Sequence, residues 1–212
     1  MTRVKICGLR TVAAARAAVE AGADFLGFVF APSRRQVAPR LVQQLLADLP
    51  PGAYETVGVF VDAPPHLINA IAETCRLDWV QLCGQEPPDL CAQVRVPVIK
   101  SFRVAGPVDL TTIARYMTVC RLVHLDTYRP GQAGGTGETF DWSLAVPVAR
   151  RWPTMLAGGL DAANVARAIQ LVQPYAVDVS SGVETAGEKD PAKIAAFIAA
   201  VRRATATAEH TG

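Results

Sequence analysis

Residues 3–30 read RVKICGLRTVAAARAAVEAGADFLGFVF, and this stretch shows the unit from which the chain is built. In Arg3-Val4-Lys5-Ile6-Cys7, Val4 and Ile6 alternate with Arg3, Lys5 and Cys7, which is the period of a strand. An Ala-rich run near 11–21 has helical composition, and a second apolar run near 24–30 reads as another strand. Strand, helix and strand in so short a span imply two parallel strands joined by a right-handed crossover.

The same unit recurs outward from there. Strands are expected near 3–7, 24–30, 55–61, 78–83, 96–102, 121–126, 153–158 and 175–180. Helices are expected near 11–21, 39–48, 64–75, 87–94, 108–118, 140–150, 161–172 and 190–206. Eight βα units in one chain favour a closed eight-stranded parallel (β/α)8 barrel of the α/β class over an open sheet. Nothing rich in Pro, Gly or Ser splits the chain, so residues 1–212 read as one domain whose tail, 204–212, frays. Asp161 is placed to cap the helix near 161–172, and Asp190-Pro191 to open the last one.

Composition narrows the function classes. Half of the residues are apolar, and 21 Lys and Arg stand against 19 Asp and Glu. That balance gives no reason to expect nucleic acid or an anionic membrane as partner. The first residues enter a strand pattern with no apolar leader, and no run approaches the roughly 18 apolar residues of a membrane span. The five cysteines are odd in number and lack zinc-ligand spacing, so free thiols in a reducing cytoplasm are expected, with no metal. Cys75, Cys91 and Cys120 read as packing residues, as do Trp79, Trp142 and Trp152, while His66 and His210 fall in segments expected to be exposed.

A barrel strand is covered on both faces, so its polar residues cannot simply face solvent. If the aliphatic set packs on the helices, then Lys5, Gln81, Lys100, His124 and Asp178 form a polar layer inside the barrel. Isolated buried charges are costly, so Lys5 or Lys100 should neutralise Asp178 or Asp126.

In such barrels the site lies at the C-terminal ends of the strands. Cys7 ends the first strand and Asp126 the sixth, so a thiol and a carboxyl meet at one rim as a candidate acid/base pair. A free cysteine is more often a small buried hydrophobe, and an aspartate at a strand end often caps or pairs. Gly158 and Gly159 after the seventh strand, and Ser180, Ser181 and Gly182 after the eighth, read as an anion site, since phosphate sites often use these two loops. The glycine-rich segment from Asp126 to Gly137, with Gly134 and Gly135 at its centre, is a candidate lid. Arg34 and Arg35 after the second strand offer a fork for a carboxylate, although two solvated arginines are the commoner case.

In order along the chain, nine segments carry a resemblance: Val4-Lys5-Ile6-Cys7-Gly8; Gly22-Ala23-Asp24 with Gly27-Phe28-Val29-Phe30; Ser33-Arg34-Arg35; Val57-Gly58-Val59-Phe60-Val61; Val80-Gln81-Leu82 with Gly84; Leu125-Asp126-Thr127; Gly134-Gly135-Thr136-Gly137 with Thr139-Phe140-Asp141-Trp142; Gly158-Gly159-Leu160; and Val177-Asp178-Val179-Ser180-Ser181-Gly182-Val183-Glu184. Together they resemble the phosphoribosylanthranilate isomerases of tryptophan biosynthesis. The resemblance implies an Amadori rearrangement of a phosphoribosyl anthranilate, needing neither metal nor organic cofactor. It makes Cys7 the general base, Asp126 the general acid and Arg35 the anthranilate-carboxylate ligand, with Arg34 the alternative. It places phosphate on Gly159, Ser180 and neighbouring amides, and the sugar near Asp178. Cys83 stands where many relatives carry histidine. A monomer or a homodimer is compatible with it. Competing readings are the related phosphosugar isomerase of histidine biosynthesis, which uses paired aspartates, a bifunctional enzyme, and a non-catalytic barrel binding a phosphorylated metabolite.

Overall fold

In a computed structural model, which describes residues 1–50, 52, 54–127 and 141–209, eight parallel strands close into a barrel in sequence order. They are β1 (Arg3–Cys7), β2 (Phe25–Val29), β3 (Glu55–Phe60), β4 (Trp79–Leu82), β5 (Val98–Val104), β6 (Leu122–Thr127), β7 (Thr154–Leu156) and β8 (Ala176–Val179). The outer layer holds α1 (Val12–Glu20), α2 (Pro39–Ala47), α3 (Pro65–Cys75), α4 (Pro88–Cys91), α5 (Leu110–Tyr116), α6 (Val146–Ala149), α7 (Val165–Val172) and α8 (Pro191–Glu209). A two-stranded antiparallel hairpin, β9 (Glu184–Thr185) and β10 (Glu188–Lys189), lies between β8 and α8 and was not expected from the sequence.

Local chemistry sets the helix starts. Thr11 accepts from Ala14 N to begin α1, and Asp109 accepts from Thr111 N to begin α5. Proline occupies the first position of α2, α3 and α4, where a missing N–H costs nothing. Asp190 Oδ1 accepts from Ala192 N and Lys193 N, as expected of a cap on α8. Asp161 caps a turn that precedes α7, accepting from Ala163 N and Asn164 N.

Three expected boundaries change. The helix placed near 140–150 is a 3₁₀ turn, Trp142–Ala145, followed by α6, because Pro147 lacks the N–H that would bond back through a continuous helix. The helix near 87–94 shortens to Pro88–Cys91. The last helix passes its expected end near 206: α8 runs to Glu209, with Ala204 and Thr205 buried.

The strand faces separate as the alternation predicts. Val4, Ile6, Val80, Leu82, Val123, Leu125, Val177 and Val179 join the large apolar layer between barrel and helices. Inside the barrel, Phe25, Val57, Ile99, Leu122, Met155 and Ala176 form a small separate cluster against Trp79. This apolar plug closes the N-terminal end, so the interior becomes polar only toward the C-terminal ends of the strands.

Lys100 departs from the expected layer. Its neighbour Ile99 belongs to the interior cluster, so the pleat turns Lys100 outward. There it pairs with the fully buried Glu86 carboxylate at 2.6 Å and donates to Gly84 O at 2.8 Å. It neutralises neither Asp178 nor Asp126.

Candidate active site

Above the apolar plug, Lys5 is fully buried, and its Nζ lies 2.9 Å from Asp178 Oδ2, the pairing the sequence suggested. The two residues are register partners on β1 and β8, so their side chains leave adjacent strands in the same direction. Burial alone would raise the Asp178 carboxyl, but Lys5 and His124 bring it down to about 2. The lysine is likewise held above its ordinary value by Asp178, against the effect of burial. His124 Nε2 lies 3.1 Å from Asp178 Oδ2, and its Nδ1 lies 2.8 Å from Ser101 Oγ.

One pleat higher, a pocket opens at the C-terminal rim. Cys7 and Asp126 both line it, from β1 and β6, with Arg35, Gly158, Gly159, Asp178, Ser180 and Ser181. Burial raises the Cys7 thiol above its ordinary value, while Lys5 and then Lys189 act against that rise. Burial also raises the Asp126 carboxyl, opposed by His124 and by the Thr127 N–H, which donates to Oδ1 at 2.8 Å. The rim thus holds a carboxyl shifted toward keeping its proton and a thiol between two ammonium groups.

The loops after β7 and β8 form the adjoining wall. Gly158 and Gly159 have φ of 87° and 65°, values L side chains rarely adopt, so this turn needs glycine. Asn164 Nδ2 donates to Gly159 O at 2.8 Å. After β8 comes a short 3₁₀ turn, Ser181–Val183. Gly182 does not line the pocket. It lets the two loops touch, since a Cβ there would stand 2.0 Å from Leu160 O. Ser180 Oγ donates to Cys7 O at 3.2 Å, and Lys189 Nζ donates to Ser180 O at 2.8 Å, which ties this loop to the end of β1.

The two arginines separate. Arg35 reaches the pocket with its side chain 11% exposed, whereas Arg34 is 56% exposed and does not line it. Glu184 grips the edge of Arg35, accepting from Nε at 2.7 Å and from Nη2 at 3.0 Å. Burial would raise Glu184, but Arg35 and Lys189 bring its carboxyl down to about 2. Nη1 of Arg35 makes no hydrogen bond among the described residues.

The candidate lid, with Gly134 and Gly135, lies outside the described residues. Sequence reasoning also missed two polar residues of the pocket, Arg103 and Ser101, and the neighbouring Lys189, which does not line it. Arg103 sits at the end of β5 as the register partner of Asp126 and exerts a lowering influence on it. Ser101 lies two residues earlier on the same face, and Lys189 comes from β10. The signal for Arg103 and Ser101 was the parity of β5, readable once Ile99 is set inward.

Comparison with known proteins shows the family and the fold. The family model described as N-(5'-phosphoribosyl)anthranilate (PRA) isomerase matches residues 4–200. The N-(5'-phosphoribosyl)anthranilate isomerase of Moorella thermoacetica is 50% identical over 205 residues, covering 96% of this chain and 91% of the relative. A structure of monomers of the dimeric enzyme of that name from Thermotoga maritima superposes with a TM-score of 0.84 at 40% identity, covering 96% of this chain and 100% of that one. A phosphoribosylanthranilate isomerase in complex with reduced 1-(o-carboxyphenylamino)-1-deoxyribulose 5-phosphate gives 0.81 at 40% identity, with the same coverage.

Proposed function

The chain belongs to the N-(5'-phosphoribosyl)anthranilate isomerase family, and from that premise we propose how its residues carry out the reaction. The enzyme converts N-(5-phosphoribosyl)anthranilate to 1-(2-carboxyphenylamino)-1-deoxyribulose 5-phosphate, an aldose–ketose isomerisation of tryptophan biosynthesis. Asp126 is the general acid. It protonates the ring oxygen as the C1–O bond breaks, and the anthranilate nitrogen supplies the electron pair that completes the Schiff base. Cys7 is the general base. Its thiolate removes the C2 proton to give the enolamine, which tautomerises to the ketone by taking a proton at C1 and losing one from the C2 hydroxyl. Proton transfer is all the protein supplies, so the steps call for neither metal nor organic cofactor.

The observation that carries this reading is the placement of Cys7 and Asp126 on separate strands, facing one pocket. A single sugar between them meets an acid on one side and a base on the other. Burial favours the protonated carboxyl that a general acid requires. It disfavours the thiolate, and Lys5 and Lys189 counter that. The active form is the one with Asp126 protonated and Cys7 ionised.

Arg35 binds the anthranilate carboxylate, held in place by Glu184. The phosphate rests on the loops carrying Gly158, Gly159, Ser180 and Ser181, with Gly182 keeping the two loops in contact. Asp178 meets the sugar, and the segment with Gly134 and Gly135 covers the bound substrate. Residues 1–212 act as one domain, as a monomer or a homodimer, in the cytoplasm, where the five free cysteines stay reduced.

The test follows the loss of anthranilate fluorescence after the protein is mixed with freshly generated substrate. Cys7→Ala and Asp126→Asn should each lower kcat by about 10²–10⁴-fold, the range for losing a general acid or base. Near-normal turnover in either variant would refute its assigned role. A wild type no faster than spontaneous decay would move the search to the histidine-pathway substrate.

A further inference from the structure

The mechanism above leaves two polar residues of the barrel interior without a task, the half-buried Ser101 and the buried His124. They are register partners on β5 and β6, one pleat below Arg103 and Asp126. Both line the pocket. His124 is 3% exposed and spans from Ser101 Oγ to Asp178 Oδ2.

The protons in this chain have a definite order. Asp178 is ionised, so it only accepts, and His124 Nε2 must carry the hydrogen of that bond. In the neutral ring Nδ1 is then an acceptor, and the Ser101 hydroxyl donates to it. With that tautomer, donation runs from Ser101 through His124 to Asp178, and Lys5 meets the same Oδ2 from the other side. Further back, Gln81 Nε2 donates to Cys83 Sγ at 3.3 Å. Two acceptors are left over. Asp178 Oδ1 and Gln81 Oε1 are buried with no hydrogen-bond partner among the described residues, and both residues line the pocket. An unpaired carboxylate oxygen beside a pocket calls for a donor from the ligand, and a sugar supplies hydroxyl groups.

We propose that Ser101 and His124 are positioning residues for the isomerisation, holding the Asp178 carboxylate through Oδ2 so that Oδ1 accepts a hydrogen bond from a substrate hydroxyl. Lys5 alone is a point charge at the end of a flexible stem and leaves the carboxylate free to turn about it. The flat imidazole, pinned at both nitrogens, fixes that rotation. This inference rests on the isomerase reading and adds to it two residues that touch no reacting atom.

The test compares His124→Leu, His124→Gln and Ser101→Ala with the wild type. Each protein is measured for turnover, for affinity toward reduced 1-(o-carboxyphenylamino)-1-deoxyribulose 5-phosphate, and for inhibition by inorganic phosphate. His124→Leu should raise KM and weaken the reduced product about tenfold, the scale of one loosened hydrogen bond to a charged group. Ser101→Ala should do so about fivefold, and His124→Gln, which keeps a donor, should recover most of the loss. Inhibition by phosphate, which does not use Asp178, should stay at the wild-type value in all three. Unchanged affinity for the reduced product in His124→Leu overturns the proposal. So does an equal loss of phosphate binding, which would mark general damage, or a His124→Gln as weak as His124→Leu. Wild-type turnover with unaffected variants overturns this inference alone. A wild type that neither turns over the substrate nor binds the reduced product overturns the isomerase reading with it.

Discussion

Replacing Lys5 with Met should destabilise the protein in a way that depends on pH with a predictable sign. Lys5 is 0% exposed and its partner Asp178 7%, at 2.9 Å, so water screens the pair little. The substitution keeps a similar volume and removes only the charge, leaving a buried carboxylate with His124 as its one remaining partner among the described residues. Breaking such a pair from one side costs about 3–5 kcal/mol. In a chain of this length that corresponds to a fall in Tm of roughly 6–20 °C. The wild-type carboxyl sits at about 2 against an ordinary 3.8. Its contribution, about 2 kcal/mol, is therefore fully present above pH 3.8 and is lost as pH falls through 2. Without the lysine, burial dominates and the folded-state pKa rises above the unfolded one. Protonation then relieves the variant as pH falls, so the gap between wild type and Lys5→Met should narrow from pH 7.5 to pH 4.5. Urea melts followed by circular dichroism at both pH values would measure it. A gap below about 1 kcal/mol at pH 7.5, or one that widens toward pH 4.5, would refute the reasoning. The double variant Lys5→Met with Asp178→Asn should regain much of the loss, because it removes the orphaned charge.

Other consequences follow from the rim. Because burial raises the Cys7 thiol above 9.0, the alkaline limb of kcat/KM should lie above pH 9, and a limb below pH 8 would show that the thiol is not the titrating group. Arg35→Ala should raise KM by about ten- to a hundredfold, the worth of a charge-assisted contact to carboxylate, with a smaller change in kcat. An unchanged KM in that variant, with a raised one in Arg34→Ala, would move the carboxylate contact to Arg34. Gly182→Ala should force the β7 and β8 loops apart, since the new methyl would stand 2.0 Å from Leu160 O. About 1–3 kcal/mol of stability and a measurable part of phosphate affinity should be lost, as read from urea melts and phosphate inhibition.

Most of the barrel was legible because a parallel strand covered on both sides still alternates. In β1, and in β6 and β8 beyond their first residues Leu122 and Ala176, the aliphatic residues occupy every second position, so Lys5, His124 and Asp178 could be assigned to the interior by parity alone. The same logic failed at β5. Val98 and Ile99 are both apolar and adjacent, so the run Val98-Ile99-Lys100-Ser101-Phe102-Arg103 offers no unique phase. Choosing the wrong one exchanges Lys100 for Ser101, and every side chain on the strand changes face. Only closure of the barrel settles it, through the register that sets Ile99 beside Leu122 and Ser101 beside His124. The role of Glu184 was hidden for a related reason. Its partners Arg34, Arg35 and Lys189 come from the β2 loop and from a hairpin that has no hydrophobic pattern to announce it.

The single-strand reading and the pairwise reading also differ in what they say about mechanism. Parity identifies which groups enter the barrel, and it brought Cys7 and Asp126, the proposed base and acid, to the rim because each ends its own strand. It does not say which groups stand side by side, and the chemistry depends on that. Lys5 keeps Asp178 ionised because β1 and β8 are in register at that level. Arg103 stands next to Asp126 for the same reason on β5 and β6. That neighbour bears on the acid: a guanidinium beside Asp126 lowers its carboxyl, while burial, the larger influence, raises it. Burial thus favours the protonated carboxyl, so excluding water supports the proposed acid role of Asp126 as well as protecting the intermediate. Substrate filling the pocket should accordingly raise the Asp126 pKa further. The acid limb of the kcat profile, which reports the bound enzyme, should then lie above that of kcat/KM wherever Asp126 controls it. Coincident limbs in the two profiles would mean that Asp126 is as wet with substrate bound as without.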